Sequence, residues 1–306
     1  MVRIFIFICL CLAILSGCDN SDSSSSPRSE KEAQPEKFLL IGLIPEQNIF
    51  KQIERYEPLA NYLASKIGIN VKLKVLARYG NIVNTFVSLG MDGAFFGSFS
   101  YALAQRKLGV EVLVRPEDLD GSSTYHGLIF VRKDSGIKSI KDMKGKRFVF
   151  VDKATTAGFL LPLTYFKSHG VKDYKAYFKE TYFSGTHEDA IHDVLNKKAD
   201  IGAAKNTVFE RLARADHRIR QDLEILEKSP DVPENGLAVR KSLDPSVKKA
   251  IQETLLGMHN DPMGKPALKI LGARKFIRTT DKDYAPVFEY ARKINLDLAQ
   301  YDYMNE

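Results

Sequence analysis

Cysteine is almost absent from this chain of 306 residues. The three that occur, Cys9, Cys11 and Cys18, all lie in the first 18 positions. The body that follows therefore has no disulfide, no thiol nucleophile and no cysteine metal site. The N-terminal apolar run "IFIFICLCLAIL" is too short to span a bilayer comfortably. A strong charge of one sign is also missing. The 45 Lys and Arg are dispersed among 38 Asp and Glu, with no basic run carrying interleaved aromatics, which argues against a nucleic-acid partner. The net charge of +7 leaves only a mild attraction for anionic solutes or a membrane surface. No repeat at solenoid spacing, nucleophile elbow, phosphate-binding P-loop or dinucleotide glycine motif is present. His187 and His192 do not share a helix face as the i, i+4 pair of a zinc-binding motif does. No metal or cofactor is expected.

What is present begins with Met1-Val2-Arg3, the apolar run, and then "LSGC" at Leu15 to Cys18. A basic start, a short apolar stretch and small residues before a cleavage point describe a secretory signal peptide, with an uncleaved anchor as the alternative. The last four residues resemble a bacterial lipobox. That resemblance implies a signal over 1–18 and lipidation of Cys18. Asp19 resembles the residue that retains such lipoproteins at the inner membrane, with the body in the periplasm. Residues 19–37 are Ser, Pro and charge without a hydrophobic run, a tether that cannot bury enough surface to order itself.

From Phe38 the pattern alternates between strand and helix. "FLLIGLI" predicts a buried strand. The next segment predicts a helix burying Ile53, Tyr56, Leu59, Ala60 and Leu63, with Pro58 as a kink or second start. Gly90 and Gly109 are expected to close the two helices that follow. Residues 38–116 thus read β-α-β-α-β-α-β, a mostly parallel sheet flanked by helices. After a longer strand at "YHGLIFVRKDS" the alternation restarts, and "GLAVRKS" reads as a second crossing strand. Two α/β lobes result, 38–130 with 236–306 and 131–235, joined by two hinge strands, with a cleft that suits a small molecule and hinge closure.

"FVDKATTAGFLLP" (150–162) places two hydroxyls and a glycine between a strand and a helix. A helix start offers unpaired N–H groups and partial positive charge to an anion; a plain helix cap is the alternative. Together with "GLIPEQN", "YEPLANYLASKIG", "MDGAFFGSFSYALA" and "SGTHEDAIHDVLNKKADIGA", the chain resembles the phosphate/phosphite/phosphonate substrate-binding proteins of ABC transporters. The resemblance covers nearly all of the chain after the tether and implies the two-lobed type II periplasmic binding protein fold.

It also implies site residues. Thr155, Thr156 and Ala157 stand where the family usually has Ser-Thr-Ser, so the third hydroxyl is missing, and Gly158 lets the backbone approach closely. His187 matches an oxyanion-contacting histidine, and Tyr101 a ligand-contacting tyrosine, with Ser98 and Ser100 beside it. Tyr56 and Tyr125 are further candidates, Tyr56 equally readable as core. Members that bind aminoalkyl phosphonates carry an acid in the segment that here reads "SPDVPENG". Asn235 stands in its place, with Asp231 and Glu234 as possible substitutes. That leans away from aminoethylphosphonate and toward phosphate, phosphite or a small alkyl phosphonate. The expected protein is a monomeric, lipid-anchored receptor that feeds an ABC permease and performs no chemistry. A sensor for a membrane kinase or chemoreceptor, or a receptor for another small anion or organic solute, are the alternatives.

Overall fold

A computed structural model describes residues 37–305. The signal, Cys18 and the tether up to residue 36 lie outside the described residues. Strand Phe38–Leu43 pairs in parallel with Asn70–Val75 on one side and Gly93–Phe96 on the other. Gly236–Val239 then runs antiparallel between Gly93–Phe96 and Glu111–Asp118, and Ala273–Arg278 closes the edge to give six strands. The second sheet has five strands: Leu223–Lys228, Gly127–Arg132, Ile201–Lys205, Arg147–Phe150 and Glu180–Phe183. Each sheet is mostly parallel in strand direction, with return strands inserted. This is the α/β two-lobed architecture expected from the alternation.

The crossing between lobes differs from the expected boundary at 130/131. Strand Gly127–Arg132 belongs wholly to the second sheet. The crossing segments are Thr124–Tyr125 and Val232–Pro233, which pair with each other as a small antiparallel ribbon. "GLAVRKS" is likewise not a crossing strand; Gly236–Val239 is buried inside the first sheet. Continuous burial of Gly93–Phe96, Gly236–Val239 and Ile201–Lys205 reflects sheets covered on both faces by helices.

Helix Ile49–Ile67 shows how local chemistry sets these elements. The Asn48 side chain accepts a hydrogen bond from the Phe50 N–H at its start, and Gly68 ends it at φ +68°. Pro58 stays inside the helix, giving up one backbone donor. Its buried face holds Tyr56, Leu59, Ala60 and Leu63 as expected, but Ile53 is 37% exposed and Gln52 is buried instead. The Gln52 amide donates to the Ile44 carbonyl, which ties the helix to the end of the first strand. Gly90 and Gly109 do follow their helices with positive φ.

The functional consequence of the fold is an alignment of strand ends. Glu46, Tyr79 and Gly97 lie just after three parallel strands of the first lobe, and Thr155, His187 and Lys205 just after or at the end of three of the second. Carboxyl ends of parallel strands are where open α/β sheets bind ligands. Here the two sets face each other. The seam is closed by Asn48 N–H and Lys51 on the Glu188 carboxylate (2.9 and 3.1 Å), by Arg211 on Gln47 (3.1 Å), and by Phe99 N–H on Thr156 Oγ1 (2.8 Å).

Candidate functional site

Between the lobes lies a small cavity of about 10 Å³, enough for roughly one water-sized group beyond the side chains around it. Tyr79, Ser100, Tyr125, Thr155, Thr156 and His187 line it, with Glu46, Lys205 and Asn235 to one side.

The Thr155–Thr156 segment is built by an unusual helix start. Leu160 and Leu161 N–H groups donate five residues back, to the Thr155 and Thr156 carbonyls. This wide turn over Thr156–Leu160 leads into helix Leu161–Ser168. Such π-type turns recur at functional sites. Thr155 Oγ1 donates to the Asp152 carbonyl at 2.7 Å, while Thr156 Oγ1 receives the Phe99 N–H from the other lobe. Gly158 has a different reason from the expected one. A Cβ there would lie 2.4 Å from Val151 Cβ and 2.8 Å from Thr155 Oγ1. The glycine thus lets the turn fold against its own strand. The Ala157 side chain does not line the cavity; it packs beside Gly127 of the second lobe, where a Cβ would come within 3.2 Å of Ala157 Cα.

His187 opens helix His187–Leu195, which Thr186 caps by accepting the Asp189 N–H. Its Nδ1 accepts the Lys205 backbone N–H at 3.2 Å. That bond leaves Nε2 to carry the proton, so the ring is a hydrogen-bond donor while still neutral. Burial lowers its pKa to about 3 against the opposing pull of Glu46, because a dry site disfavours the imidazolium.

Tyr79, which the sequence reading did not single out, meets His187 edge-on across the cleft, with ring centroids 5.8 Å apart. It is 3% exposed, and its hydroxyl is buried without a hydrogen-bond partner. An orphaned buried hydroxyl beside a cavity is costly unless something else occupies the cavity. Burial and the nearby Glu46 charge hold its pKa well above the ordinary value, so it too is a donor.

The charged side of the cavity centres on Lys205, the last residue of a wholly buried strand. Its ammonium donates to Glu46 at 2.8 Å, to Glu234, and to Asn235 Oδ1 at 3.3 Å, and sits 4.4 Å from the centre of the Tyr125 ring. Asn235 Nδ2 also donates to Glu46 Oε1 at 2.9 Å. Burial would raise the Glu46 carboxyl, but Lys205, Arg55 and Arg211 outweigh it and hold it well below the ordinary range. For Lys205, burial lowers the pKa and the two glutamates more than restore it. Lys205, Arg55 and Arg211 face Glu46 and Glu234, with Asp118 also within electrostatic reach of the cluster.

The remaining expected residues fall elsewhere. Tyr101 turns away and donates to Asp281, packed on Tyr284. Tyr56 packs on Phe95 in the hydrophobic core of the first lobe. Ser98 donates to the Pro233 carbonyl at the crossing ribbon, whereas Ser100 reaches the cavity wall. Of the two possible acids, Glu234 is buried on Lys205, but Asp231 is exposed and bonds Thr124 and His126. Lys205 and Glu46 do carry a signal in the sequence: a lysine ending the apolar strand "IGAAK", and an acid just after the first strand. Among the described residues, no group of three or more His, Cys, Asp or Glu is arranged to hold a metal ion.

Residues 41–284 match the family described as "ABC transporter, phosphonate, periplasmic substrate-binding protein". The Phosphonates-binding periplasmic protein of Escherichia coli (strain K12) is 26% identical over 285 residues, covering 92% of this chain and 82% of the relative. The Phosphate-import protein PhnD of Mycolicibacterium smegmatis is 28% identical over 253 residues, covering 78% and 76%. The solved structure of PhnD1 from Prochlorococcus marinus (MIT 9301) in complex with methylphosphonate superposes with a TM-score of 0.76 at 24% identity, over 85% of this chain and 99% of that one. On these likenesses the chain belongs to the phosphonate periplasmic substrate-binding proteins of ABC transporters, which carry solute to a permease and are not enzymes.

Proposed function

We propose that this protein is a lipid-anchored receptor that captures a phosphorus oxyanion, namely phosphate, phosphite or a small alkyl phosphonate. The ligand would lie in the interlobe cavity, and the receptor would deliver it to an inner-membrane ABC permease. The observation that carries the reading is the Tyr79 hydroxyl, buried and unpartnered beside the neutral, donor-form His187 and the start of the Thr156 turn. A tetrahedral oxyanion supplies acceptors to all three. Thr156 and His187 act as donors, Thr155 fixes the turn through its bond to the Asp152 carbonyl, Ser100 and Tyr125 shape the walls, and Asn235 anchors the charged side. The apolar N-terminal run, Cys18 and the polar tether support anchoring to the outer face of the inner membrane.

Calorimetric titration of the body from residue 37, stripped of ligand by unfolding and refolding, tests this with phosphate, phosphite, methylphosphonate and 2-aminoethylphosphonate. Micromolar or tighter binding of one of the first three is expected, weakened at least about tenfold by Thr155→Val with Thr156→Val. Absence of binding to every one of them refutes the ligand class. Cys18→Ala is expected to release the protein from membranes; retention would refute the anchor.

A further inference from the structure

Lys205 is a charged side chain placed where the cavity would otherwise continue. It is 2% exposed, yet every direction around its ammonium is furnished: Glu46 on one side, Glu234 on another, Asn235 Oδ1, and the face of Tyr125. Two carboxylates, an amide oxygen and an aromatic face are what a protein uses to hold a buried ammonium ion. The binding chemistry is complete, and its occupant is the protein's own side chain. The second feature is position. Lys205, Glu46, Asn235 and Tyr125 border the same cavity as Tyr79, Thr155, Thr156 and His187. The donor set for an oxyanion and the cage for an ammonium are thus adjacent, as they would be for a small zwitterion, but the ammonium half is filled. Glu234 Oε2 is buried with no hydrogen-bond partner, so the cage has acceptor capacity that Lys205 leaves unused.

We infer that Lys205 is a tethered ammonium that sets the specificity of this receptor by occupying an otherwise competent ammonium site, so that the cleft rejects aminoalkyl oxyanions and accepts tail-less ones. The inference rests on the oxyanion reading above. An incoming ammonium meets a like charge and a filled space, which disfavours it twice over. Together with Arg55 the lysine also keeps Glu46 from repelling the anion, since both Glu46 oxygens are engaged, Oε1 by Lys205 and Oε2 by Arg55 at 3.6 Å. Truncating this side chain to Cβ should therefore create a zwitterion site.

The test compares wild type, Lys205→Ala and Lys205→Met with methylphosphonate, 2-aminoethylphosphonate and its uncharged isostere n-propylphosphonate. Wild type is expected to bind methylphosphonate at least about tenfold more tightly than 2-aminoethylphosphonate. Lys205→Ala should lose affinity for methylphosphonate and prefer 2-aminoethylphosphonate over n-propylphosphonate by at least about tenfold. Lys205→Met, which fills the space without charge, should show no such preference. Wild type binding 2-aminoethylphosphonate as tightly as methylphosphonate overturns the inference, as does an unchanged preference in Lys205→Ala or an equal one in Lys205→Met. If Lys205→Ala does not fold, the wild-type ratio decides. If wild type binds no oxyanion, the preceding reading fails by itself. The ammonium site is then judged by melting Lys205→Ala with and without methylammonium chloride, sodium chloride serving as control. A higher melting temperature specific to methylammonium, absent in Lys205→Met, supports the site, and no such rise overturns it.

Discussion

Replacing Tyr79 by Phe removes one oxygen and leaves the ring against His187 in place. That oxygen is buried with no protein partner, and burying such a group costs about 1–3 kcal/mol. Its removal therefore does not lower the stability of the stripped protein. Any change should be upward, at roughly 2–4 °C in melting temperature per kcal/mol for a domain of this size. The effect on binding has the opposite sign. A hydrogen bond to a charged acceptor is worth about 1.5–3 kcal/mol, which is about a 10–150-fold loss of affinity. Titration calorimetry and thermal melting of the same stripped samples read both quantities. A residue that merely packs would lose stability and leave affinity alone. An affinity within about threefold of wild type, or a lower melting temperature in the stripped protein, would refute the argument that this hydroxyl waits for a ligand.

Other outcomes follow from the same structure. His187 titrates at about 3 in the folded protein instead of its ordinary 6.5. Between those values the unfolded chain holds a proton that the folded one lacks, so the contribution of His187 to stability rises with pH through that window; His187→Asn, which keeps an acceptor for the Lys205 N–H, should make the pH–stability curve across it less positive in slope than wild type in denaturant titrations. Asp152 has the reverse sign. Burial raises its carboxyl from 3.8 to about 6, so its own contribution to stability falls as pH increases over that range, by on the order of 2–3 kcal/mol, and a pH–stability curve for Asp152→Asn that runs parallel to wild type would contradict the assignment. Gly158→Ala forces the turn off Val151 and should lower both melting temperature and oxyanion affinity; normal values for both would show that the turn can yield. Tyr101→Phe should leave the dissociation constant unchanged, because its hydroxyl serves Asp281, and a tenfold loss would return Tyr101 to the site.

The sequence by itself determined the order of strands and helices, because hydrophobic periodicity and glycine stops are local signals. It also determined the two-lobed class and the family, and it marked Thr155, Thr156, His187 and Asn235, residues whose neighbours in the chain carry a pattern. It did not determine which aromatic side chains turn inward. Tyr56, Tyr79, Tyr101 and Tyr125 all lie in or beside regular elements, and only the packing of two sheets against each other sends Tyr79 and Tyr125 to the cavity and the other two into the first lobe. The crossing point was equally hidden, since strand Gly127–Arg132 reads the same whichever sheet it joins; its pairing with Leu223–Lys228 and Ile201–Lys205 decides the matter. The charged cage depended most on the tertiary structure. Glu46, Lys205 and Glu234 are separated by 159 and 29 positions, and a lysine on a buried strand is tolerable only where distant carboxylates arrive to pair with it. Local propensity cannot report such a meeting, because it is made by the closure of one lobe on the other.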